Sequence, residues 1–431
     1  MKQKVDQTIR MTMTQSQLGI WFECLEPVEG RSYDQPYLFE LGARTDGEMK
    51  RLARALERTV LAHPGLLARV APEEGIPALE MEAHPAFRAD IENAASREVV
   101  MERITQPFAQ GRRRAHPIDL RGPLSVFRLF QTPEGAFLYT NTHHLISDGA
   151  SLVVFFDDLS RAYATDTAPE AETCTMADMC REEEATRKSP RLAEEAQWYR
   201  EHFTPDELSR FPGAPDPNQP LDDFRNVIIP LRTDPGRINE ACARYGVSKS
   251  TLFNGAFGYL LSIWNHSEEA TFSTIYHGRT DPRYARTSTM AVRTLPVYVR
   301  AEKEATVGEY LAALQEQSDG VRQRSIYSAL DLSASIGWNF NLFFAYQGSL
   351  FGYKLVLDGK PAPSTDLRIQ EYGIDFSLEV LKVSDGFRVE AAYPGSALSE
   401  EMVREIVAQF DHVLLEMTEK EYLRDLEILT E

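Results

Sequence analysis

The clearest periodic pattern in the chain runs from about Asp46 to Ala62, where Met49, Leu52, Leu56 and Val60 recur at steps of three and four residues. That spacing predicts a helix with one apolar stripe. Thr45 and Glu48 stand at capping-box spacing, so each side chain can satisfy an orphan backbone donor of the first turn, and Pro64-Gly65 ends the helix. Farther along, Pro123 to Phe130 and Ala136 to Thr142 read as strands joined by a Pro133-Glu134-Gly135 turn, which predicts a hairpin. A helix follows, because Leu152, Phe155, Phe156, Leu159 and Tyr163 fall on one face, with Phe155 and Phe156 as core residues. Between hairpin and helix stands His143-His144-Leu145-Ile146-Ser147-Asp148-Gly149. A loop projecting from rigid elements holds side chains in place while leaving them accessible.

Thr165 to Thr175 has no periodicity, and Thr204 to Phe224 holds Pro205, Pro212, Pro215, Pro217 and Pro220, too many for a regular element. Both are predicted linkers. Between them, Met176 to Phe203 is charged and helix-compatible, and its Glu182-Glu183-Glu184 and Glu194-Glu195 runs are expected on exposed faces. Farther on, strands are predicted at Asn226 to Leu231, Ala270 to Tyr276, Thr294 to Val299, Phe340 to Tyr346, Asp375 to Leu381 and Phe387 to Tyr393. Helices are predicted at Ile238 to Tyr245, Ser248 to Trp264 and Ser399 to Met417. Ser248-Lys249-Ser250-Thr251 lacks a glycine-rich lead and reads as a helix start, not a phosphate loop. Alternating strands and helices favour α/β layers. A boundary near 170–180 divides the chain into residues 1–175 and 176–431.

Charge narrows the function classes. Of 431 residues, 46 are Lys or Arg and 65 Asp or Glu, a formal net charge of −19. Nucleic acid and anionic membrane both favour a basic face, so neither is an expected partner. No stretch reaches the roughly 18 apolar residues of a membrane span. Met1 to Asp6 lacks the apolar core of a signal peptide. Cys24, Cys174, Cys180 and Cys242 fit no zinc or redox spacing, so a reducing cytoplasm, inert thiols and no metal are expected.

His143 and His144 are the strongest candidates for chemistry. Adjacent residues after a strand point to opposite sides, so only one of the pair is expected to face a cavity. An imidazole titrates near neutrality, which suits a general base or a polar anchor. Asp148 stands near the start of the next helix, where it also fits a plain N-cap.

The run His143-His144-x-x-x-Asp148-Gly149 resembles the hallmark of condensation domains of nonribosomal peptide synthetases, within the wider chloramphenicol-acetyltransferase-like group. Thr14-Gln15-Ser16-Gln17-Leu18-Gly19-Ile20-Trp21 is similar to the family's opening motif, and Tyr33-Asp34-Gln35-Pro36 to the lead into its next strand. His63-Pro64-Gly65-Leu66, Asp119-Leu120 with Gly122-Pro123-Leu124, Gly278-Arg279, Arg293-Thr294-Leu295-Pro296 and Phe343-Phe344-Ala345-Tyr346-Gln347 match later motifs in family order. The resemblance covers residues 10–430. It implies two acyltransferase-like lobes in a V-shaped pseudo-dimer with a central tunnel. It also implies amide bond formation between a donor acyl thioester and an acceptor amine, each on the 4'-phosphopantetheine arm of a carrier protein. No cofactor is then bound by the chain itself. Donor and acceptor carrier proteins are the implied partners, with a downstream adenylation domain. His144 and Gly149 are the implied catalytic positions, with His143 structural and Asp148 ion-paired to Arg279. Ser147, Gln17, Arg293, Thr294, Tyr346 and Gln347 are candidate substrate or tunnel contacts.

Departures from the family pattern bear on substrate class. Ala62 and Leu67 replace two usual arginines, Arg293 replaces an asparagine, and Arg322-Gln323-Arg324-Ser325-Ile326-Tyr327 stands where a His-Gln-x-x-x-Pro motif is usual. Arg112-Arg113-Arg114 is either a carrier-protein contact or, as expected, a solvated loop. Leu423 to Leu429 resembles the hand-over to an adenylation domain, so the chain reads as an excised piece or a free-standing enzyme, and Met1 as a first domain. Three other readings remain open: an acyltransferase using a soluble acceptor, an epimerisation domain and a non-catalytic recruiter of partner enzymes.

Overall fold

The computed structural model describes residues 8–25, 32–71, 77–107, 113–205, 207–211, 223–338, 340–348, 354–368 and 376–428. Met1 to Asp6, Arg112, most of the predicted 204–224 linker including Pro212, Pro215, Pro217 and Pro220, Asp375 and Leu429 lie outside them. The described residues of 1–188, 277–292 and 352–372 form one compact unit, and those of 189–276, 293–351 and 373–431 a second.

The first unit begins with β1 (Thr8–Thr12), α1 (Gln15–Leu25), β2 (Tyr37–Gly42) and α2 (Asp46–Ala62). The Thr45–Glu48 capping box forms, with Thr45 N–H donating to Glu48 at 2.7 Å, and Met49, Leu52, Leu56 and Val60 are buried. There follow β3 (Arg69–Val70), β4 (Ala78–Glu82), β5 (Ile91–Asn93), α3 (Arg97–Ile104), β6 (Thr105–Pro107) and β7 (Arg113–Ala115). The predicted hairpin is β8 (Ser125–Gln131) and β9 (Ala136–Thr142), after which come α4 (Gly149–Thr165) and α5 (Met176–Arg187). β2, β9, β8 and β5 lie side by side, antiparallel except for β5 beside β8. Leu52 and Leu56 of α2 and Phe155, Phe156 and Leu159 of α4 pack with Phe39 and Leu138 in one core. This seats the start of α4 at the end of β9.

The second unit contains α6 (Arg191–His202), β10 (Phe224–Pro230), α7 (Pro235–Tyr245), α8 (Lys249–Trp264) and β11 (Glu269–Tyr276). After residues 277–292 it resumes with β12 (Arg293–Arg300), α9 (Val307–Gln323), α10 (Ala329–Ile336) and β13 (Leu342–Gly348). The short strands β14 (Val356–Leu357), β15 (Lys360–Pro361) and β16 (Ser364–Asp366) belong to the first unit, where β16 pairs antiparallel with β2. β17 (Phe376–Val383), β18 (Gly386–Pro394) and α11 (Glu400–Glu419) complete the second unit. Its sheet runs β10–β18–β17–β13–β11–β12, with Phe257 of α8 stacked on Phe344 at 4.7 Å between ring centroids. Both units are therefore α/β layers.

Three expectations are corrected. Met176 to Phe203 is two helices, and not every glutamate on it is exposed. Glu183 is buried because it accepts the orphan N–H of Gln15 at the start of α1 (2.7 Å). Glu195 is buried because it accepts from Tyr327 N–H (2.9 Å) and from Arg191 (2.7 Å). Arg113 and Arg114 lie on β7 rather than in a solvated loop, since the Arg113 guanidinium donates to Thr105 on β6 at 2.7 and 2.9 Å. Residues 166–175 carry no regular element but are no free linker, because the Glu172 side chain within them is buried against His63 at 3.0 Å.

Candidate active site

β9 gives way to α4 through the His143–Asp148 turn, and backbone pairing continues past the end of the strand. Gln35 N–H donates to Thr142 O and His144 N–H to Tyr33 O, both at 2.9 Å, while Asp34 bridges His143. Extended alternation then turns the two imidazoles to opposite sides. His143 is buried, and its Nδ1 accepts from Leu145 N–H at 3.2 Å, which assigns its proton to Nε2. Burial pushes His143 down to about 3, with the neighbouring His144 adding to the effect, so it is a neutral structural group. His144 is only half-buried, with its ring edge-on to Tyr33 at 6.1 Å between centroids. Gln17, wholly buried, accepts from Thr14 N–H (2.8 Å) and donates to Leu145 O (2.7 Å), so it braces the loop from α1. Ser147 is also fully buried.

Asp148 caps α4, and all its bonds go to structure. Oδ1 accepts from Ser151 N–H (2.9 Å) and Ser151 Oγ (3.0 Å), and Oδ2 from Arg279 Nη1 (2.7 Å) and Ala291 N–H (3.0 Å). Arg279 Nη2 donates to Ser151 Oγ (2.8 Å), Thr287 O (3.0 Å) and Thr289 O (3.2 Å). Burial alone would raise Asp148, but the Arg279 guanidinium and these donors hold it below the ordinary aspartate value. The pair joins residues 131 positions apart and fixes the 277–292 segment against the loop that carries the histidines. Gly278 permits this through φ +67 and a backbone approach to Ala291 O that no side chain would allow.

A model of the condensation domain family matches residues 7–430. The chain belongs to the condensation-domain family. Among curated relatives, the nonribosomal peptide synthetase apmB of Penicillium brevicompactum is 23% identical over 407 residues, covering 90% of this condensation domain but 16% of the synthetase. Among solved structures, the first condensation domain of the calcium-dependent antibiotic synthetase, in complex with a substrate analogue, matches with a TM-score of 0.76 at 18% identity. That match covers 98% of this chain and 99% of the other. The X-domain from teicoplanin biosynthesis matches equally well, with a TM-score of 0.76 at 19% identity over 97% and 98% of the two chains. At these identities the structural likeness shows the shared fold.

The remaining candidate residues of the condensation domain are divided between its units. Gly149 is the first residue of α4, half-buried, in the unit that holds the doublet and Arg279. Arg293 and Thr294 open β12 and are half-buried, and Tyr346 and Gln347 lie on β13, all four in the second unit. Gln347 is buried and donates to Glu379 at 2.9 Å, while Tyr346 stacks on Phe253 at 5.1 Å. Two groups escape a reading by local pattern. Burial raises Asp34 to about 6 despite the Ile118 N–H it accepts at 3.1 Å, and only the resemblance of Tyr33-Asp34-Gln35-Pro36 to a family motif drew attention to it. His63 sits between Asp158 and Glu172, partners 95 and 109 residues away. No helix among the described residues is long and apolar enough to cross a membrane.

The Cys24 thiol is pushed up to about 12 by burial and by Asp34 and Glu23. Thiolate is the reactive form, so Cys24 should alkylate with iodoacetamide at pH 8 at least roughly tenfold more slowly than a free thiol. Peptide mass spectrometry reads the rate, and labelling at the free-thiol rate would contradict this.

Proposed function

We propose that this condensation domain joins a donor acyl thioester to the amine of an acceptor aminoacyl thioester, both delivered on 4'-phosphopantetheine arms of carrier proteins. The observation that carries this reading is the asymmetry of the doublet. The neutral, buried His143 and the Asp148–Arg279 pair are spent on structure, which leaves the half-buried His144 as the accessible imidazole. The acceptor nitrogen attacks the thioester carbonyl, the C–N bond forms, the C–S bond breaks, and the proton shed by nitrogen ends on the departing sulfur. An α-amine has a pKa of about 8, so much of it is neutral before it attacks, and tethering both reactants supplies proximity. His144 then relays the proton or donates a hydrogen bond to the tetrahedral intermediate, and Gly149, without a side chain, keeps the backbone close to the reacting thioester. Ser147, Gln17, Arg293, Thr294, Tyr346 and Gln347 shape or support the path of the arms. The carrier proteins and an adenylation domain are its partners, in the cytoplasm.

The test supplies loaded donor and acceptor carriers and reads the joined product by intact-protein mass spectrometry. His144→Ala should lower the rate at least about a hundredfold, the lower end of a general-base contribution, with an unchanged urea midpoint. Transfer to a soluble amine or alcohol instead would point to an acyltransferase of another kind. Because one structure of this fold is a complex of the X-domain with OxyB from teicoplanin biosynthesis, a recruiting role is the second reading, and tight partner binding without any transfer would favour it.

A further inference from the structure

The first unit contains a second buried histidine that acyl transfer does not use. His63 is the C-cap of α2 and is 1% exposed. Its Nε2 lies 2.8 Å from Asp158 Oδ2 on α4, and its Nδ1 lies 3.0 Å from Glu172 Oε1 in the 166–175 segment. Both ring nitrogens thus face carboxylate oxygens at hydrogen-bond distance, and only an imidazolium can donate to both. The 277–292 segment closes the cluster. Arg286 Nη2 donates to Asp158 Oδ2 at 2.6 Å and to Glu170 O at 3.2 Å, and Ser288 N–H donates to the same Glu172 oxygen at 2.7 Å. Arg161 of α4 lies 3.9 Å from Asp158 Oδ1, and the field of Arg279 also acts on Glu172. Among the groups in direct hydrogen-bond contact, protonated His63 with Arg286 balances the two carboxylates, while Arg161, its side chain 63% exposed, reaches Asp158 from the solvent side.

We infer that His63 is a proton-bearing positioning residue, whose imidazolium ties the 277–292 segment to α2 and α4 and so holds Arg279 against the loop of the histidine doublet. Removing the proton leaves a nitrogen lone pair facing a carboxylate oxygen, a repulsive contact that the buried ring cannot relieve through water. Besides the Arg279 and Arg286 contacts, the ties of the segment to the rest of the unit include Ser288 N–H to Glu172, Thr289 N–H to Ser151 Oγ at 3.2 Å, Ala291 N–H to Asp148, Ser151 Oγ to Thr289 O at 3.0 Å and Thr287 Oγ1 to Cys174 O at 2.6 Å. Loss of the imidazolium therefore weakens the first of these directly and the others through the chain. The inference stands apart from the acyl-transfer reading, since its readout is structural.

Burial pulls the His63 pKa down, but its bonds to Asp158 and Glu172 outweigh this and hold it above the ordinary histidine value. Burial likewise holds Glu172 above the ordinary glutamate value, against the pull of His63. Groups raised on folding contribute stability that is present below their unfolded pKa and is lost as pH rises through the folded one. Asp158, which burial would raise, is held low by His63 and Arg286, and its contribution is lost only as pH falls. The loss that belongs to His63 therefore lies above the ordinary histidine value, on the alkaline side, while that of Glu172 begins above the ordinary glutamate value.

Hydrogen exchange of the Ser288 and Thr289 amides, corrected for the intrinsic rate and followed from pH 5.5 to 9.5, tests this. Protection should hold up to about pH 6.5 and fall at least tenfold by pH 9.5, while the β8–β9 hairpin keeps its protection. Glu172→Gln removes one carboxylate facing the ring, keeps an oxygen for Ser288 N–H, and should move the fall to lower pH. Protection that stays flat to pH 9.5, that falls in step with the hairpin, or that shows the same midpoint in Glu172→Gln would overturn the inference. The wild-type profile decides the matter even if the variant fails to fold.

Discussion

Arg279→Ala is expected to destabilise the first unit by about 3–5 kcal/mol, the range for truncating one partner of a buried ion pair. The side chain of Arg279 is 5% exposed and that of Asp148 0%, so water cannot replace the lost guanidinium. The alanine also withdraws the Nη2 donor from Ser151 Oγ, Thr287 O and Thr289 O. Asp148 then remains ionised with only Ser151 and Ala291 as donors, or takes up a proton at neutral pH, and either state costs free energy. Arg279→Lys should recover part of the loss, because an ammonium restores the charge but not the fork that reaches five oxygens. Urea unfolding followed in both variants measures the effect. An Arg279→Ala protein with the wild-type midpoint, yet without turnover, would mean that Arg279 acts on substrate rather than on the fold.

Gly278→Ala is expected to cost more than about 4 kcal/mol, the size that marks backbone conflict and not an ordinary surface change. Gly278 has φ +67, a conformation that strains any side chain, and its added Cβ would overlap the Ala291 carbonyl oxygen. Ala291 cannot simply retreat, because its N–H is bonded to Asp148 Oδ2 at 3.0 Å. Relief of the overlap therefore separates Arg279 from Asp148, and the two substitutions should be far from additive in combination. A soluble Gly278→Ala protein with an unchanged urea midpoint would show that the 277–292 segment has room that the close approach of the two backbones denies it.

Much of the local structure is legible in the residues. The Thr45–Glu48 box, the stripe through Met49, Leu52, Leu56 and Val60, and the hairpin around Pro133-Glu134-Gly135 rest on near neighbours, and the structure has all three. α1, by contrast, mixes Phe22 and Leu25, both exposed, with the buried Gln17, so its sequence has no clean stripe. The Glu183 and Glu195 runs misread for a related reason: a carboxylate that caps a distant N–H looks identical in sequence to one in water. The fact that stretches 277–292 and 352–372 belong with residues 1–188 has no local signature either.

The sequence by itself determined the family, through an ordered set of motifs, and the place of the histidine doublet between a strand and a helix, because both are matters of residue type at short range. Only the tertiary structure decided that His143 is sealed and neutral while His144 keeps partial exposure, and that His63 lies between two carboxylates. Burial and charge balance depend on which distant segments pack around a group, and that is a property of the folded chain rather than of any window along it.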